Sequence, residues 1–404
     1  MATNQTSARS WCIELPIYAL SFNSMMHFVL SVSMAGLAQS FPDVSVNVLM
    51  YLLSITTLTA IPGGFLVPFL VSRFSKKDIV VVGLAGGCLC ALLYLLFPSH
   101  LPLLFIAAAG QGIVCGIIST AFPLMVITHV EESHRKRVMG IGVGMIQFGR
   151  LSAFFLAGFL AVIRWNLIYL VYTFMLVALI LIIFLLPQDR PNSVANASAT
   201  VGRSGGSARK LLDNLLHNAA VWQFLIITLL YGLTQFLTSS HLSLYIEGYH
   251  LGLSTTTGTL SAASYALAGV VGCFFAPIHR LLGKYTVFAV FLIIGVGYAV
   301  AGFFISLLGI LIALMFCSVA QAVYLPYALM CVDKVSDADT APTMAAMIPA
   351  CLNLGSFLSS SLTGFMATTL GLGAPAESYL YIGILSLGLG TIVLLVQKKI
   401  AFLR

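Results

Sequence analysis

Charged side chains are scarce in this sequence. Asp, Glu, Lys and Arg make up 8% of the 404 residues, whereas hydrophobic residues make up 60%. A water-soluble globular protein could not cover its surface with so few polar groups. The composition therefore excludes soluble protein classes and predicts an integral membrane protein.

The sequence also lacks the short segments of alternating hydrophobicity that are typical of a transmembrane β-barrel. Apolar runs of about 20 residues or more recur instead, and each can cross a hydrocarbon core of about 30 Å as a helix. They predict an all-α integral membrane protein with twelve transmembrane helices, numbered here as spans in chain order. The predicted spans are residues 13–38, 46–71, 78–97, 101–129, 138–163, 165–187, 219–247, 255–279, 285–304, 308–332, 341–368 and 377–397.

Motifs for metal, nucleotide and covalent chemistry are absent as well. The eight cysteines do not have the paired spacing of metal ligands. The glycine-rich segment 140–144 lies inside a predicted span and has no Walker-type lysine, which argues against an ATP-driven pump. No buried pair of nucleophile and base is evident either. The sequence thus predicts no metal, no cofactor and no enzyme.

The basic residues follow a topological pattern. If the N-terminus lies in the cytoplasm, 17 of the 19 Lys and Arg residues fall in cytoplasmic segments, and the two exceptions are Arg164 and Arg150. Basic loops stay on the cytoplasmic side of a membrane. The pattern predicts a multi-pass protein of the cytoplasmic, or inner, membrane with both termini in the cytoplasm. It also accounts for the net charge of +7, so nucleic-acid binding is not expected.

A polar segment divides the chain in the middle. Residues 187–218 are rich in Gly, Ser and Pro, which is typical of a linker. The division predicts an N-terminal six-helix bundle at 1–187, a cytoplasmic linker at 188–218 and a C-terminal six-helix bundle at 219–404.

Two pairs of glycines recur at the same spacing in the two bundles. A shift of 206 residues aligns Gly149 with Gly355 and Gly158 with Gly364. These positions fall in the fifth span of the chain and in the fifth span of the second bundle. The alignment predicts that the two bundles are repeats of one structural unit.

The twelve spans, the two bundles and a basic loop after the second span together resemble the major facilitator superfamily of transporters. The loop reads "PFLVSRFSKK" at 68–77 and is similar to the superfamily's signature in keeping Arg73, Lys76 and Lys77. The resemblance implies the major facilitator fold and a gating loop that contains these three basic residues. Ser72 stands where the superfamily usually has Asp, so the charge relay of that Asp is not carried over.

Two further positions depart from the drug antiporters of the superfamily. The fourth span reads "AAAGQGIVCG" at 107–116, which keeps Gln111 but has Ala108 where an arginine linked to proton coupling is usual. The fifth span lacks the Gly-Pro pair of those antiporters, because Gly149 is followed by Arg150. The resemblance therefore stops at the superfamily and indicates no substrate.

Arg150 is a permanent charge inside an apolar span. It lies 13 residues beyond Arg137, which marks the cytoplasmic interface, and this separation is about 20 Å along a helix. At that depth a lipid-facing arginine would cost about 3 kcal/mol or more, so the side chain is expected to face protein or a water-filled cavity. No Asp or Glu lies deep in any predicted span. Arg150 is therefore a candidate to bind a substrate carboxylate, with a structural bond to carbonyl oxygens as the alternative.

Two histidines also lie at membrane depth. Asn23, His27 and Ser31 recur every four residues in the first span, which predicts a polar helix face that lines the substrate cavity. His27 is a candidate for substrate binding and for proton coupling, because histidine titrates near physiological pH, and a neutral hydrogen-bonding role is the alternative. His241, in the outer part of the seventh span, is a candidate outer-gate or substrate contact, or else a packing residue.

Other polar residues at membrane depth are candidate substrate contacts around the midplane. Each could instead form a hydrogen bond to a neighbouring helix. They are Gln111, Gln147, Gln235, Tyr265, Gln321, Tyr324 and Asn353.

These features predict a secondary active transporter that moves a small organic anion, or an amphipathic compound with an acidic group, by alternating access. Coupling to protons is an open alternative. The first competing hypothesis is a proton-coupled multidrug exporter of lipophilic compounds, although such exporters usually carry a membrane-embedded carboxylate. The second is a membrane receptor or scaffold that transports nothing. The expected partners are the small-molecule substrate, protons and the lipid bilayer, and a monomer is expected.

Overall fold

A computed structural model describes residues 13–188, 219–336, 341–371 and 373–396. Within these residues the chain is helical and has no strand. The predicted all-α fold class is therefore confirmed. The predicted linker at 188–218 lies outside the described residues, except for Gln188.

The first half of the molecule contains spans one to six. The first span consists of a helix at 13–22, a 3-10 helix and a short α-helix, and the sixth consists of a 3-10 helix followed by an α-helix. The helices in chain order are 13–22, Met26–Ser33, Met34–Ser40, Val46–Val71, Lys76–Leu96, Leu101–His129, Glu132–Ile163, Trp165–Tyr172 and Thr173–Leu185.

The second half contains spans seven to twelve. Its seventh span is interrupted at Phe236, and a short helix precedes the ninth span. The helices in chain order are Ala219–Gln235, Leu237–Gly248, Ser254–Cys273, Phe275–Leu282, Thr286–Phe303, Leu307–Val335, Ala341–Leu370 and Pro375–Val396, with a single 3-10 turn at Gly283–Tyr285.

All twelve predicted spans are helical. Ten of the helical stretches in the described part of the chain are long and apolar enough by themselves to cross a membrane. The other two spans are the eighth, Ser254–Cys273, and the eleventh, Ala341–Leu370. Both pack along a helix of the other half, and such protein contacts tolerate the Ser, Thr and Gly residues that make these two spans less apolar.

The eighth span ends at Cys273 and not at residue 279 as predicted. A new helix begins at Phe275. The reason is Pro277, which has no backbone N–H and whose ring would clash with the carbonyl four residues earlier in a continuous helix. Proline is tolerated in the first turn of a helix, and Pro277 lies there.

The first span also differs from the regular α-helix that its sequence predicts. A turn at residues 23–25 separates the helix at 13–22 from the 3-10 helix Met26–Ser33. A 3-10 helix has three residues per turn, so positions four residues apart do not share one face. The predicted common face of Asn23, His27 and Ser31 is therefore wrong.

The two halves pack as repeats, as the aligned glycines predict. Gly149 lies against the backbone of Phe22 in the first span, and Gly355 lies against the backbone of Leu229 in the seventh span. At both positions a Cβ would collide with a carbonyl oxygen. The fifth span of each half thus approaches the first span of its own half in the same way.

The two halves contact each other on one side of the membrane. Residues 13 and 396 lie on the same side, here called the terminal side, because twelve spans separate them. On the opposite side, Gly158 of the fifth span meets Gly258 of the eighth, and a Cβ added to Gly258 would lie 2.6 Å from the Gly158 Cα. The missing side chains let these two helices touch along their backbones.

Hydrogen bonds reinforce the contact on the opposite side. The Ala35 amide donates to Ser243 Oγ over 3.1 Å, which joins the first and seventh spans. The Tyr51 hydroxyl donates to Ser361 Oγ over 3.4 Å, which joins the second and eleventh. All three pairs of helices therefore meet near their ends on this side.

The terminal side is open. The fifth and eighth spans also carry glycines there, at Gly140, Gly144, Gly269 and Gly272, and a Cβ added to any of them would meet no atom within 4 Å. Among the described residues, the structure thus has the two halves closed on the opposite side and separated on the terminal side.

An ion pair joins the first and fifth spans near the terminal side. Arg137 Nη2 lies 2.5 Å from Glu14 Oε1, and the Tyr18 hydroxyl donates to Glu14 Oε2 over 3.1 Å. The Glu14 side chain is 3% exposed and the Arg137 side chain is 52% exposed. A buried carboxylate keeps its charge only when such partners replace water.

Replacing Glu14 with glutamine is expected to lower the free energy of unfolding by about 1–2 kcal/mol. This is less than the loss for a fully buried pair, because the half-exposed Arg137 regains water. Thermal unfolding of the purified protein in detergent measures the change. Glu132→Gln, at an exposed carboxylate on the same helix as Arg137, is the control. An equal loss of stability in both variants would contradict the role of the ion pair.

Candidate functional site

Arg150 lies where the first, fifth and eighth spans meet. The close approach at Gly149 brings the fifth span against the first. The Arg150 guanidinium carbon is then 4.5 Å from the centre of the Tyr265 ring, in the second half, and 5.8 Å from the Phe28 ring, in the first. The positive charge therefore lies at the boundary between the two halves.

Arg150 has no counter-charge in the described part of the chain. Its side chain is 9% exposed, and its Nε is buried without a hydrogen-bond partner. No described acidic side chain forms an ion pair with it, and no described carbonyl accepts a hydrogen bond from it. The two ring contacts contribute about 0.5–2 kcal/mol each, which does not replace the lost hydration of a cation. The site is therefore suited to a negatively charged ligand.

His27 lies on the first span next to Phe28, which also contacts Arg150. Its ring centre is 4.0 Å from that of Phe28, its Nε2 is 3.9 Å from Cys115 Sγ in the fourth span, and its Nδ1 is buried without a partner. The Cys115 thiol donates to the Ser24 carbonyl over 3.1 Å. The Arg150 guanidinium carbon lies 5.8 Å from the centre of the same Phe28 ring, so both side chains contact Phe28.

Gln111 lies one helical turn from Cys115 on the fourth span. Its side chain is 3% exposed, and both its amide nitrogen and its amide oxygen are buried without partners. Buried polar atoms are nearly always paired, so an unpaired amide facing this region indicates a place for a ligand or water. Gln111 thus lies one helical turn from the contact between Cys115 and His27, and its role in substrate binding stays a prediction.

The second half contributes polar groups from its seventh span. The Tyr231 hydroxyl is buried without a partner, and its ring stacks on Tyr324 with 3.8 Å between ring centres. The seventh span reaches the surroundings of Arg150 through Phe236, whose ring centre is 6.0 Å from that of Phe28. Gln235 lies one turn further on, where its amide nitrogen donates to the Cys317 carbonyl over 3.4 Å and its amide oxygen is unpaired.

Asn23 lies apart from this group. Its side-chain amide donates to the carbonyl of Ala19 over 2.8 Å and to the carbonyl of Phe174 in the sixth span over 3.3 Å. It lines a separate cavity of about 180 Å³ between the first, fifth and sixth spans. The turn at residues 23–25 is the reason, because it directs Asn23 towards the sixth span.

His241 also lies elsewhere, in a cavity of about 270 Å³ on the opposite side of the membrane. This cavity lies between the halves, and Asn47 and Thr363 form part of its wall. His241 Nδ1 is 2.9 Å from the hydroxyl of its neighbour Ser240. Its role as an outer-gate or substrate contact stays a prediction.

Three further predicted contacts are half-buried and remain predictions. Gln147 lies on the fifth span, Gln321 on the tenth and Asn353 on the eleventh. None of the three side chains forms a hydrogen bond to a described residue. Tyr324 is fully buried, and its hydroxyl donates to Thr228 Oγ1 over 2.9 Å. This hydrogen bond fixes the ring on which Tyr231 stacks.

The predicted gating loop lies on the terminal side of the first half. Lys76 Nζ donates to Thr128 Oγ1 over 2.9 Å, at the end of the fourth span. Lys77 Nζ donates to the Leu186 carbonyl over 2.6 Å, at the end of the sixth. The Arg73 guanidinium carbon is 5.0 Å from the centre of the Phe69 ring. The two lysine hydrogen bonds connect the loop to the ends of the fourth and sixth spans of the first half.

Ser24, Phe28, Cys115 and Tyr231 were not among the site residues predicted from the sequence. Phe28 follows His27 directly, so it could have been included as a neighbour. Cys115 lies four residues after Gln111, which is the spacing of one helix face. No signal in the sequence indicated that Tyr265 in the second half stacks on Arg150.

The site therefore combines one uncompensated cation, partly exposed aromatic rings and several unpaired neutral groups. Both halves of the molecule supply them. A guanidinium can bind a carboxylate through two parallel hydrogen bonds. Because the groups lie at the boundary between halves, a bound ligand would touch both and would favour one arrangement of the halves over another.

Three solved structures of transporters have a fold similar to that of this chain. The D-xylose-proton symporter aligns with a TM-score of 0.72 and 16% identity, over 97% of this chain and 98% of that one. A peptide transporter, POT, in complex with sulfate aligns with a TM-score of 0.72 and 14% identity over 97% and 95% of the two chains. The nucleoside transporter NupG aligns with a TM-score of 0.73 and 13% identity over 96% and 99%. At these identities the similarity shows the fold alone.

A family model assigns the chain more specifically than the structural similarities do. No curated protein matches this sequence. The model of the Major Facilitator Superfamily matches residues 17–360, which include most of both halves. Together with the twelve spans in two repeated halves, the match establishes a membrane transporter and not an enzyme. The chain belongs to the Major Facilitator Superfamily.

Proposed function

We propose that this transporter moves a small organic anion by alternating access and that Arg150 binds the anionic group. One observation carries the proposal: Arg150 is buried at the boundary between the halves and has no acidic partner among the described residues. A buried cation of this kind is stabilised when an anion binds. The substrate thereby supplies the charge that the protein lacks.

The closed and open sides support a cycle of two states. The glycine contact of the fifth and eighth spans closes the opposite side, and a second set of glycines on the same two spans lies open on the terminal side. The second set can form an equivalent contact when the halves rock about the site. The bound anion would then face the other side of the membrane.

We further propose that the terminal side is cytoplasmic. The described basic residues on this side include Arg73, Lys77, Arg135 and Arg280, whereas the opposite side has Arg164. Basic segments are retained in the cytoplasm. With this orientation the structure is open to the cytoplasm, and residues 13 and 396 lie on that side.

Uptake into proteoliposomes tests the proposed function. The purified protein is reconstituted, and the uptake of radiolabelled benzoate, lactate and succinate is compared with that of a neutral amphiphile and a lipophilic cation. Uptake of at least one anion above that of empty liposomes is expected. Transport restricted to the cation would support the multidrug exporter instead, and no transport of any compound would favour a receptor.

Proton coupling through His27 is the next element of the proposal. The His27 ring and the Arg150 guanidinium both contact the Phe28 ring, at 4.0 Å and 5.8 Å from its centre, so a positive charge on His27 would be repelled by Arg150 unless an anion neutralises the arginine. The anion and the proton are therefore expected to bind together and to move in the same direction.

Replacing His27 with glutamine is expected to flatten the pH dependence of anion uptake. Glutamine keeps a hydrogen-bonding side chain of similar size but does not titrate in this pH range. Initial uptake rates measured between pH 5 and 8, the range in which histidine normally titrates, give the profile. His100→Gln, outside the site in the loop before the fourth span, is the matched control, and an unchanged profile in H27Q would remove His27 from coupling.

A further inference from the structure

The unpaired polar atoms around Arg150 are not spread evenly over the two halves. The first half supplies the cation, together with the unpaired groups of His27 and Gln111. In the described part of the second half, the seventh span supplies the unpaired Tyr231 hydroxyl and the unpaired amide oxygen of Gln235, with no charged side chain beside them. The two halves therefore present different chemistry to a ligand.

Aromatic rings lie between these two sets of polar groups. Phe28 and Tyr265 are partly exposed and flank the Arg150 guanidinium. Phe236, at the interruption of the seventh span, lies 6.0 Å from Phe28 between ring centres. Flat aromatic walls bury the faces of a planar ring and leave its edge free for polar groups.

We infer that the substrate is a ring-containing carboxylate with a hydroxyl or similar hydrogen-bonding group at the end away from the acid. This inference rests on the proposed function and adds the substrate class to it. Arg150 binds the carboxylate, the rings of Phe28 and Tyr265 pack on the ring, and Tyr231 and Gln235 bind the distal group. A simple hydroxylated aromatic acid has these three parts.

The Tyr231 hydroxyl has a property that makes the inference testable. Burying a hydroxyl without a partner costs free energy, so removing it does not weaken the fold. A site built to bind a substrate hydroxyl discriminates strongly against the analogue that lacks it. Tyr231→Phe should therefore fold normally and change selectivity.

Tyr379 provides a matched control. Its hydroxyl is also buried without a partner. Its ring packs against Tyr245 and Tyr298 in the core of the second half, with ring centres 5.4 Å and 5.3 Å apart. Tyr379→Phe removes the same atom from the same half at a place that is not in contact with Arg150.

The experiment measures dissociation constants for benzoate, for meta- and para-hydroxybenzoate and for propionate, by isothermal calorimetry on the detergent-solubilised full chain. The wild-type protein is expected to bind one hydroxybenzoate about ten times more tightly than benzoate, and benzoate about ten times more tightly than propionate, because each lost contact costs about a factor of ten. In Y231F the preference for the hydroxybenzoate over benzoate should fall from about tenfold to about one. In Y379F this preference should remain about tenfold.

The outcomes separate this inference from the proposed function. If propionate binds as tightly as the ring acids and Arg150→Gln abolishes all binding, the ring-acid class is wrong and the anion site stands. An unchanged hydroxybenzoate ratio in Y231F would likewise overturn the role of the second half. If no acid binds and Arg150→Gln changes nothing, both proposals fail.

Discussion

Replacing Arg150 with glutamine is expected to abolish anion transport and to leave the protein folded. Glutamine retains a polar side chain at the boundary between the halves but removes the only charge placed beside Phe28 and Tyr265 in the described structure. Charged pairs that are broken in a buried place typically cost 2–5 kcal/mol, which is a loss of affinity of about 30-fold to several thousand-fold. Initial uptake rates in proteoliposomes measure the loss.

The fold itself should not suffer from this change. Because Arg150 is buried without an acidic partner, removing its charge relieves a desolvation cost. The thermal midpoint of R150Q should therefore equal or exceed that of the wild type, which a thermal-shift assay measures in the same preparation. Arg164→Gln, at an exposed arginine just beyond the same helix, is the matched control and should transport normally. Normal uptake by R150Q would remove Arg150 from the binding site.

Replacing Gly258 with valine is expected to trap the transporter open on the opposite side and to stop transport. A Cβ at this position would lie 2.6 Å from the Gly158 backbone, so the fifth and eighth spans could not close there. The loss should be nearly complete, because a transporter that cannot close one side cannot complete its cycle. Reaction of a cysteine at Thr363, in the wall of the cavity on that side, with a membrane-impermeant maleimide should increase severalfold.

Gly269→Val, on the same helix as Gly258, is the comparison variant for the terminal side. A Cβ at this position meets nothing within 4 Å in the present conformation, so the variant should fold and remain closed on the opposite side. If the glycines of the terminal side form the second closed contact, transport by G269V should also stop, but labelling at Thr363 should decrease. Equal labelling in the two variants would contradict a cycle in which these glycines alternate.

Much of the fold could be predicted from the sequence because a bilayer leaves few solutions. An apolar stretch of suitable length must form a helix in order to satisfy its backbone hydrogen bonds. This is why all twelve spans are found close to their predicted bounds. The aligned glycines at 149 and 355 occupy equivalent contacts because the two halves are repeats of one unit. The errors lie where local chemistry interrupts a helix, at the turn before Met26 and at Pro277.

The candidate site could be predicted only in part. Arg150 was identifiable because a charge at membrane depth is costly wherever it lies. The partners of that charge were not identifiable, because Phe28 and Tyr265 come from the first and eighth spans and meet only when the halves pack. Asn23 was assigned to the site on the assumption of a regular α-helix, and the turn after residue 22 directs it to the sixth span instead.

The sequence by itself determined that this protein lies in a membrane and how many times it spans it. It also determined the division of the spans into two repeats and the presence of one positive charge at membrane depth. These follow from composition, from the length of the apolar runs and from the aligned glycines, since an apolar run of about 20 residues forms a helix in lipid. Only the tertiary structure decided which side of the molecule is closed and which side chains surround Arg150. Those features depend on contacts between spans that are far apart in the chain, and helices in a membrane associate through close packing of particular residues, which hydrophobicity alone does not encode.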